Sequence, residues 1–247
     1  MSHTAGAVVR SEWVKARSVR AVHGSLTAVF VVTVAIALLV SATIGQSEVD
    51  EPDVDLVFSA FYALNFGQIA AIAFGATALS SEFTGGALRV SLTAVPRRGV
   101  FYAAKMAVVG VAALIVGEVA GLSSFLLGQS FMGDFAIGLG HPGALRAVLG
   151  SGVYLALMAL FAAGLTALLR SAVLVLSILI PFILLVSFVV GDMSAGVADF
   201  FPDRAGQTIL HENPPGSLGP WSGLAVTAVW ASAAVLAGWW SIRSRDV

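Results

Sequence analysis

Glu118 is the side chain in this sequence that most needs a chemical explanation. Twelve uncharged residues separate it from Lys105 and fifteen more run on to Gly133, so its carboxylate falls near the middle of a long apolar segment. A charge at the bilayer centre costs at least about 2.5 kcal/mol even on insertion scales, so such a group should face protein or water. Gly117 and Gly121 flank it in a small-xxx-small pattern that lets another helix approach closely. Asn65 and Gln68 raise the same question in an earlier apolar run. Three residues apart, they share one helical face, and their amides need partners inside a bundle or a wet cavity because lipid offers none. Glue between helices and lining of a path both remain open for them. Pro181 lies in the middle of a later apolar run, where a proline removes an N–H and kinks the helix. Asn65, Gln68, Glu118 and Pro181 are the candidates for a pathway or a helix interface.

Other chemistry is missing. There is no cysteine, which removes disulfides, thiolate catalysis and cysteine-held metals. No GxxxxGKS/T phosphate loop occurs, no HExxH and no GxSxG, and none of the four histidines falls inside an apolar run. No catalytic or metal site is expected, and nothing in the pattern asks for a nucleic-acid partner.

The elements that must position these residues are membrane elements. The chain is 58% hydrophobic and only 11% charged, against roughly 25% charged in a soluble domain. Uncharged runs predict six transmembrane helices at about 25–45, 56–80, 101–128, 147–169, 171–191 and 221–242, in one all-α polytopic domain. The stretch 7–22 predicts an amphipathic helix on the membrane surface, with Val9, Trp13 and Ala16 as its apolar stripe. Val40-Ser41-Ala42 is mildly like a cleavage site, but the long basic flank and the five later runs predict an uncleaved anchor. Glu48, Asp50, Glu51, Asp53 and Asp55 read as a solvated acidic loop, since their spacing does not suit a calcium loop. Residues 192–220 form the longest connection.

Charge is sorted by side. Taking alternate sides, eleven of the thirteen basic residues fall with the two ends and the 82–105 connector, whereas ten of the fourteen acids fall opposite. The excess of arginine and lysine places both termini and that connector in the cytoplasm. Eleven arginines against two lysines, with abundant alanine, valine and glycine, suggest a bacterial plasma membrane.

The connector itself is organised. Glu82 ends one run and Lys105 begins the next. Gly85-Gly86 allows a sharp turn, Ala87–Thr93 predicts a short helix carrying Arg89, and Pro96 stops it before Arg97. Arg89 is placed to reach a partner carboxylate or Glu82 by bidentate pairing.

Two segments carry a family resemblance. Ser11-Glu12-Trp13-Val14-Lys15-Ala16-Arg17-Ser18 is similar to the E-x-x-K-x-R amino-terminal helix of the type-2 ABC transporter permeases. Ser81-Glu82-Phe83-Thr84-Gly85-Gly86-Ala87-Leu88-Arg89, with Pro96-Arg97 and Ala104-Lys105, resembles that family's SxE-aromatic-xxG-T-x-R…P-x-R…A-K cytoplasmic loop, Ala87 standing where threonine is common. The resemblance implies a permease subunit of an exporter that moves a drug, antibiotic, lipid-like molecule or ion. ATP and its magnesium would belong to a separate ATP-binding subunit, with a second permease copy or a related permease completing the pathway. It further implies that Glu12, Lys15, Arg17, Glu82, Gly85, Arg89, Pro96 and Arg97 couple this chain to the ATPase. The other readings of the sequence are a proton-coupled secondary transporter using Glu118 and a noncatalytic membrane scaffold or immunity protein.

Overall fold

The helix Ala144–Leu169 carries no charged residue after its first turn, and more than half of its residues are buried. A helix that is apolar all round belongs inside a bundle, and the rest of the fold is arranged about this one. The computed structural model describes residues 5–43, 54–185 and 196–244, and within them it is helical with no strand. In chain order the helices are α1 (Ala5–Ser18), α2 (Arg20–Thr43), α3 (Leu56–Phe61), α4 (Leu64–Phe83), α5 (Ala87–Ala94), α6 (Arg98–Gln129), α7 (Ala144–Leu169), α8 (Ala172–Pro181), α9 (Pro202–Gln207) and α10 (Pro220–Ser244).

Four helices, α2, α6, α7 and α10, are long and apolar enough to cross a membrane. The other two expected spans look different. The run 56–80 is interrupted at Tyr62-Ala63, so α3 and α4 are separate pieces, and Asn65, Gln68 and Glu82 dilute the apolar character of α4. The run 171–191 is a helix through Pro181 that continues as a π turn over 182–185, and 186–191 lie outside the described residues. Proline removes one backbone donor, and a π turn is a common way to accommodate the lost pairing. The acidic positions 48, 50, 51 and 53 also lie outside them.

α7 is held by close backbone approach. A Cβ on Gly75 of α4 would run into the carbonyl oxygen of Ala159, and one on Gly164 would strike the α10 backbone at Ala234-Val235. Small residues therefore set the α4–α7 and α7–α10 separations. Gly117 and Gly121 act in the same way. They face Gly152 and Ser151 of α7 in the same chain, so the small-xxx-small pattern joins neighbours within one subunit.

The inward face of α1 is set by Val8 and Glu12, both buried, while Val9 is exposed. Trp13 and Ala16 are only half-buried against the core. The bundle-facing side of α1 thus carries an ionised side chain, compensated by partners on other helices. The stretch 192–220, expected as the longest loop, carries local structure of its own. Its described part folds back as α9 with flanking 3-10 turns, and Pro202, Ala205, Thr208, Ile209 and Leu210 are buried. Ile209 fills the space beside Gly150 of α7, and Thr227 of α10 donates to the Pro202 carbonyl at 2.8 Å.

Candidate functional site

At one end of the bundle, α1, α4, α5 and α6 meet around charge. Glu12 sits on the inner face of α1 and Lys15 follows one turn later. Glu82 lies on the last turn of α4, just before Gly85 and Gly86, whose φ values of +63° and +76° turn the chain into α5. Lys105 lies on α6 among the buried residues Phe101, Tyr102, Val108 and Val109. The Lys105 Nζ is 2.6 Å from Glu82 Oε1 and 2.7 Å from Glu12 Oε2. Lys15 Nζ is 2.7 Å from Glu12 Oε1 and 3.4 Å from Glu82 Oε1, and it also donates to Ser91 Oγ of α5 at 3.0 Å. Ser91 in turn donates to Glu82 Oε2 at 3.0 Å. Two carboxylates and two ammoniums thus alternate in a closed, neutral set, which incorporates both lysines of the protein.

Glu12, Glu82 and Lys105 are at most 5% exposed. Unpaired, each would carry a desolvation cost of several kcal/mol. The pairing answers it. Burial works to raise the Glu82 pKa, but the charge and hydrogen bond of Lys105, with Lys15 and Ser91 behind them, hold it below the usual range. Burial works to lower Lys15, and its bond to Glu12 and the charges of Glu82 and Glu12 raise it instead. A cleft of about 390 Å³ opens beside the cluster, with Val19, Val22, Phe74 and Val90 on its walls.

The remaining expected coupling residues stand outside this cluster. Arg17, Gly85, Arg89, Pro96 and Arg97 are exposed. The expected Arg89–Glu82 pair does not form, because two lysines on other helices already occupy the carboxylate. Lys105 is the member that the sequence offered as the start of a span and the end of the loop motif, and not as a coupling residue. The available signal was a lysine in register with Phe101, Val108 and Ala112, on the buried stripe of its helix.

A second polar region begins at the other end of α4. Gln68 is 1% exposed and accepts from the Tyr154 hydroxyl of α7, which Gln207 of α9 also reaches at 3.4 Å. Gln68 Nε2 donates to the Asn65 carbonyl at 3.2 Å, and Asn65 Nδ2 to the Tyr62 carbonyl at 3.0 Å. These amides lie on a chamber of about 750 Å³, walled by Phe58, Tyr62 and Phe66 and closed below by α9 and the π turn of α8. Asn65 and Gln68 therefore do share one lining. Glu118 and Pro181 do not join them. Glu118 is half-buried and lies over Gly152 of α7, where even a Cβ would collide with it. Pro181 is exposed on α8.

The chamber's outer rim is a third polar group that was not anticipated. Asp55 caps α3 by accepting from Phe58 N at 2.8 Å, and its other oxygen accepts from Glu212 N at 2.9 Å. His211 Nδ1 is 3.2 Å from Asp55 Oδ2, and His141 Nε2 is 3.0 Å from Glu212 Oε2. Burial tends to raise Asp55, but His211 and the two backbone donors bring it below its ordinary value.

The family model described as ABC-2 family transporter protein matches residues 8–191, which reach from α1 past the π turn of α8. The chain belongs to the ABC-2 type transporter permease family. Members of this family are transmembrane transport subunits of ABC transporters. Comparisons with curated proteins and with solved structures gave no match.

Proposed function

We propose that this chain is the permease of an ATP-driven exporter in a bacterial plasma membrane. Its six spans would place both termini and α5 in the cytoplasm, and two permeases would be served by separate ATP-binding subunits that carry the nucleotide and its magnesium. The observation that carries this reading is the closed Glu12–Lys15–Glu82–Lys105 cluster. A permease without a phosphate loop has to receive work mechanically. The cluster ties two helices of the proposed cytoplasmic face, α1 and α5, to the ends of α4 and α6. Displacement of α1 or α5 by a motor is thereby passed into the bundle, because separating the charges leaves them buried and unpaired. Arg89 and Arg97, exposed on and just after α5, are then the contacts offered to the ATPase, together with Arg17, exposed on α1. The chamber lined by Asn65 and Gln68 lies at the far end of α4, where motion of that helix would alter it.

The test is ATPase activity and export by the reconstituted permease–ATPase complex. Arg89→Ala should leave folding and assembly unchanged and abolish export, with ATP hydrolysis no longer responding to substrate. Full export by that variant overturns the coupling role of α5. Single cysteines at Thr93 and Ala136, introduced into this cysteine-free chain, test sidedness. An impermeant thiol reagent added to intact cells should label position 136 and spare 93.

A further inference from the structure

The contacts at the chamber rim carry a function of their own. His211 and Glu212 are successive residues that hold three separate elements together. Asp55 Oδ2 faces both the His211 ring nitrogen and the Glu212 amide. The His211 ring lies flat on Phe58, with centroids 3.9 Å apart and planes 9° apart. Glu212 reaches out to His141 in the connection between α6 and α7. Arg146, on the first turn of α7, donates to the backbone carbonyls of both His211 and Glu212. His211 and Phe58 are also walls of the chamber, so what holds this segment down also fixes that part of the wall.

We propose that this hub is a proton-operated gate, in which protonation of His211 and His141 fastens residues 211–212 to Asp55 and across to the α6–α7 connection and shuts the chamber, and loss of those protons loosens it. Among the described residues, Asp55 from the start of α3 and Glu212 from the segment itself contact the two imidazoles, Arg146 of α7 meets the segment's backbone, and Asp199, Asp203 and Arg204 line the same chamber as His211. Asp55 is held below the usual carboxylate range and is anionic at neutral pH. Arg146 is engaged with backbone carbonyls and grips the segment at any pH. What protons decide is whether the two side-chain contacts are charge-assisted, which roughly doubles such a bond. Histidine is the side chain whose charge changes between pH 5 and 8. The gate holds whichever molecule uses the chamber, and it is read without ATP.

The experiment places one cysteine at Asn65, on the chamber lining, in the protein reconstituted in nanodiscs. The labelling rate by a charged methanethiosulfonate is measured at pH 5.5 and pH 8.0 and divided by the rate at Ala136→Cys, an exposed position that reports the thiol's own pH dependence. The normalised rate should rise about fivefold from pH 5.5 to 8.0, the size expected for losing two charge-assisted contacts of moderate strength. In the His141→Gln/His211→Gln background the two rates should agree. A parent protein whose normalised rate is flat or falls with pH overturns the gate, as does a double variant that keeps the parent's profile. Should the double variant not fold, His141→Gln alone, at a partly exposed position, must reduce the ratio, and an unchanged ratio again overturns it.

Discussion

The two polar ends of the bundle use different bases, and the difference separates a tie from a switch. At the end where α1, α4, α5 and α6 meet, the cations are Lys15 and Lys105, nearly all of the set is buried, and every charge has two partners. At the chamber rim the carboxylates instead meet His141 and His211, whose side chains are 26% and 16% exposed, and each ring contacts one carboxylate. Lysine keeps its charge across the whole physiological range, so the first end is a permanent link. The sign is explicit in its two shifted members. Lys15 is raised, so its contribution is present below the ordinary lysine value of about 10.4 and is lost above it. Glu82 is lowered, so its contribution is present above about 4.3 and is lost below it. Between those limits the tie does not respond to pH, which suits a part that transmits force.

The strongest way to break this comparison is to cut the tie. Lys105→Met leaves Glu12 and Glu82 buried with Lys15 as their one cation, and losing one member of a buried set costs about 3–5 kcal/mol. The thermal unfolding midpoint in detergent should fall sharply, and the exchanged pair Glu82→Lys/Lys105→Glu should regain much of the loss. An unchanged midpoint for Lys105→Met would mean that the helices are held without the cluster. Arg89→Ala is the internal control, because an exposed side chain away from such features changes stability by no more than about 0.5 kcal/mol.

A smaller effect is expected in the shaft between the two ends. Gly75→Ala drives a methyl group toward the Ala159 carbonyl, and overpacking of this kind costs about 1–3 kcal/mol. Because α4 joins the cluster to the chamber, the same change should increase labelling of Asn65→Cys as well as lower the midpoint. If it does only the latter, the two ends are not mechanically linked through α4.

Asp55→Asn tests the rim and should cost about 1 kcal/mol at pH 7, the net scale of one hydrogen bond, because asparagine can keep the cap on α3 but not the charge that meets His211 and the Glu212 amide. Asp55 is lowered in the folded protein, so its advantage over asparagine is present above the ordinary value of about 3.9 and disappears as pH falls through it toward 3. A difference between parent and variant that persists at pH 3 would show that the contact is not ionic. The smallest effect belongs to Glu118→Gln. The side chain packs over Gly152 and lines neither cavity, so export and unfolding should match the parent. A large loss of export would return Glu118 to the pathway.

The residues of the tie were unequally legible. Glu12, Lys15 and Glu82 stood in short motifs at recognisable places, and the glycine pair before α5 announced a turn that the structure makes with positive φ at both positions. Arg170, the charged residue between α7 and α8, ends α7 in the left-handed region at φ +55°. Lys105 was visible as a boundary and as the end of the loop motif, but not as a buried charge. Its partner Glu12 is 93 positions away in sequence, and nothing local relates them. The chamber rim was less legible still, because Asp55 read as one more solvated acid and His211 as a loop histidine.

The sequence by itself determined what composition and period control. Long uncharged runs make helices that must satisfy their own backbone, glycine and proline place the turns, and the separation of basic from acidic residues sets the expected sidedness. The tertiary structure decided which charges could be buried. A carboxylate on an inner face is tolerable only when ammoniums arrive from other helices, and that depends on where α1, α4 and α6 come to lie. It also decided that residues 198–210 leave solvent, because Gly150 and Gly223 open spaces that Ile209 and the Ala205 backbone fill. Such complementarity exists only between surfaces already in place, so no local reading of the chain contains it.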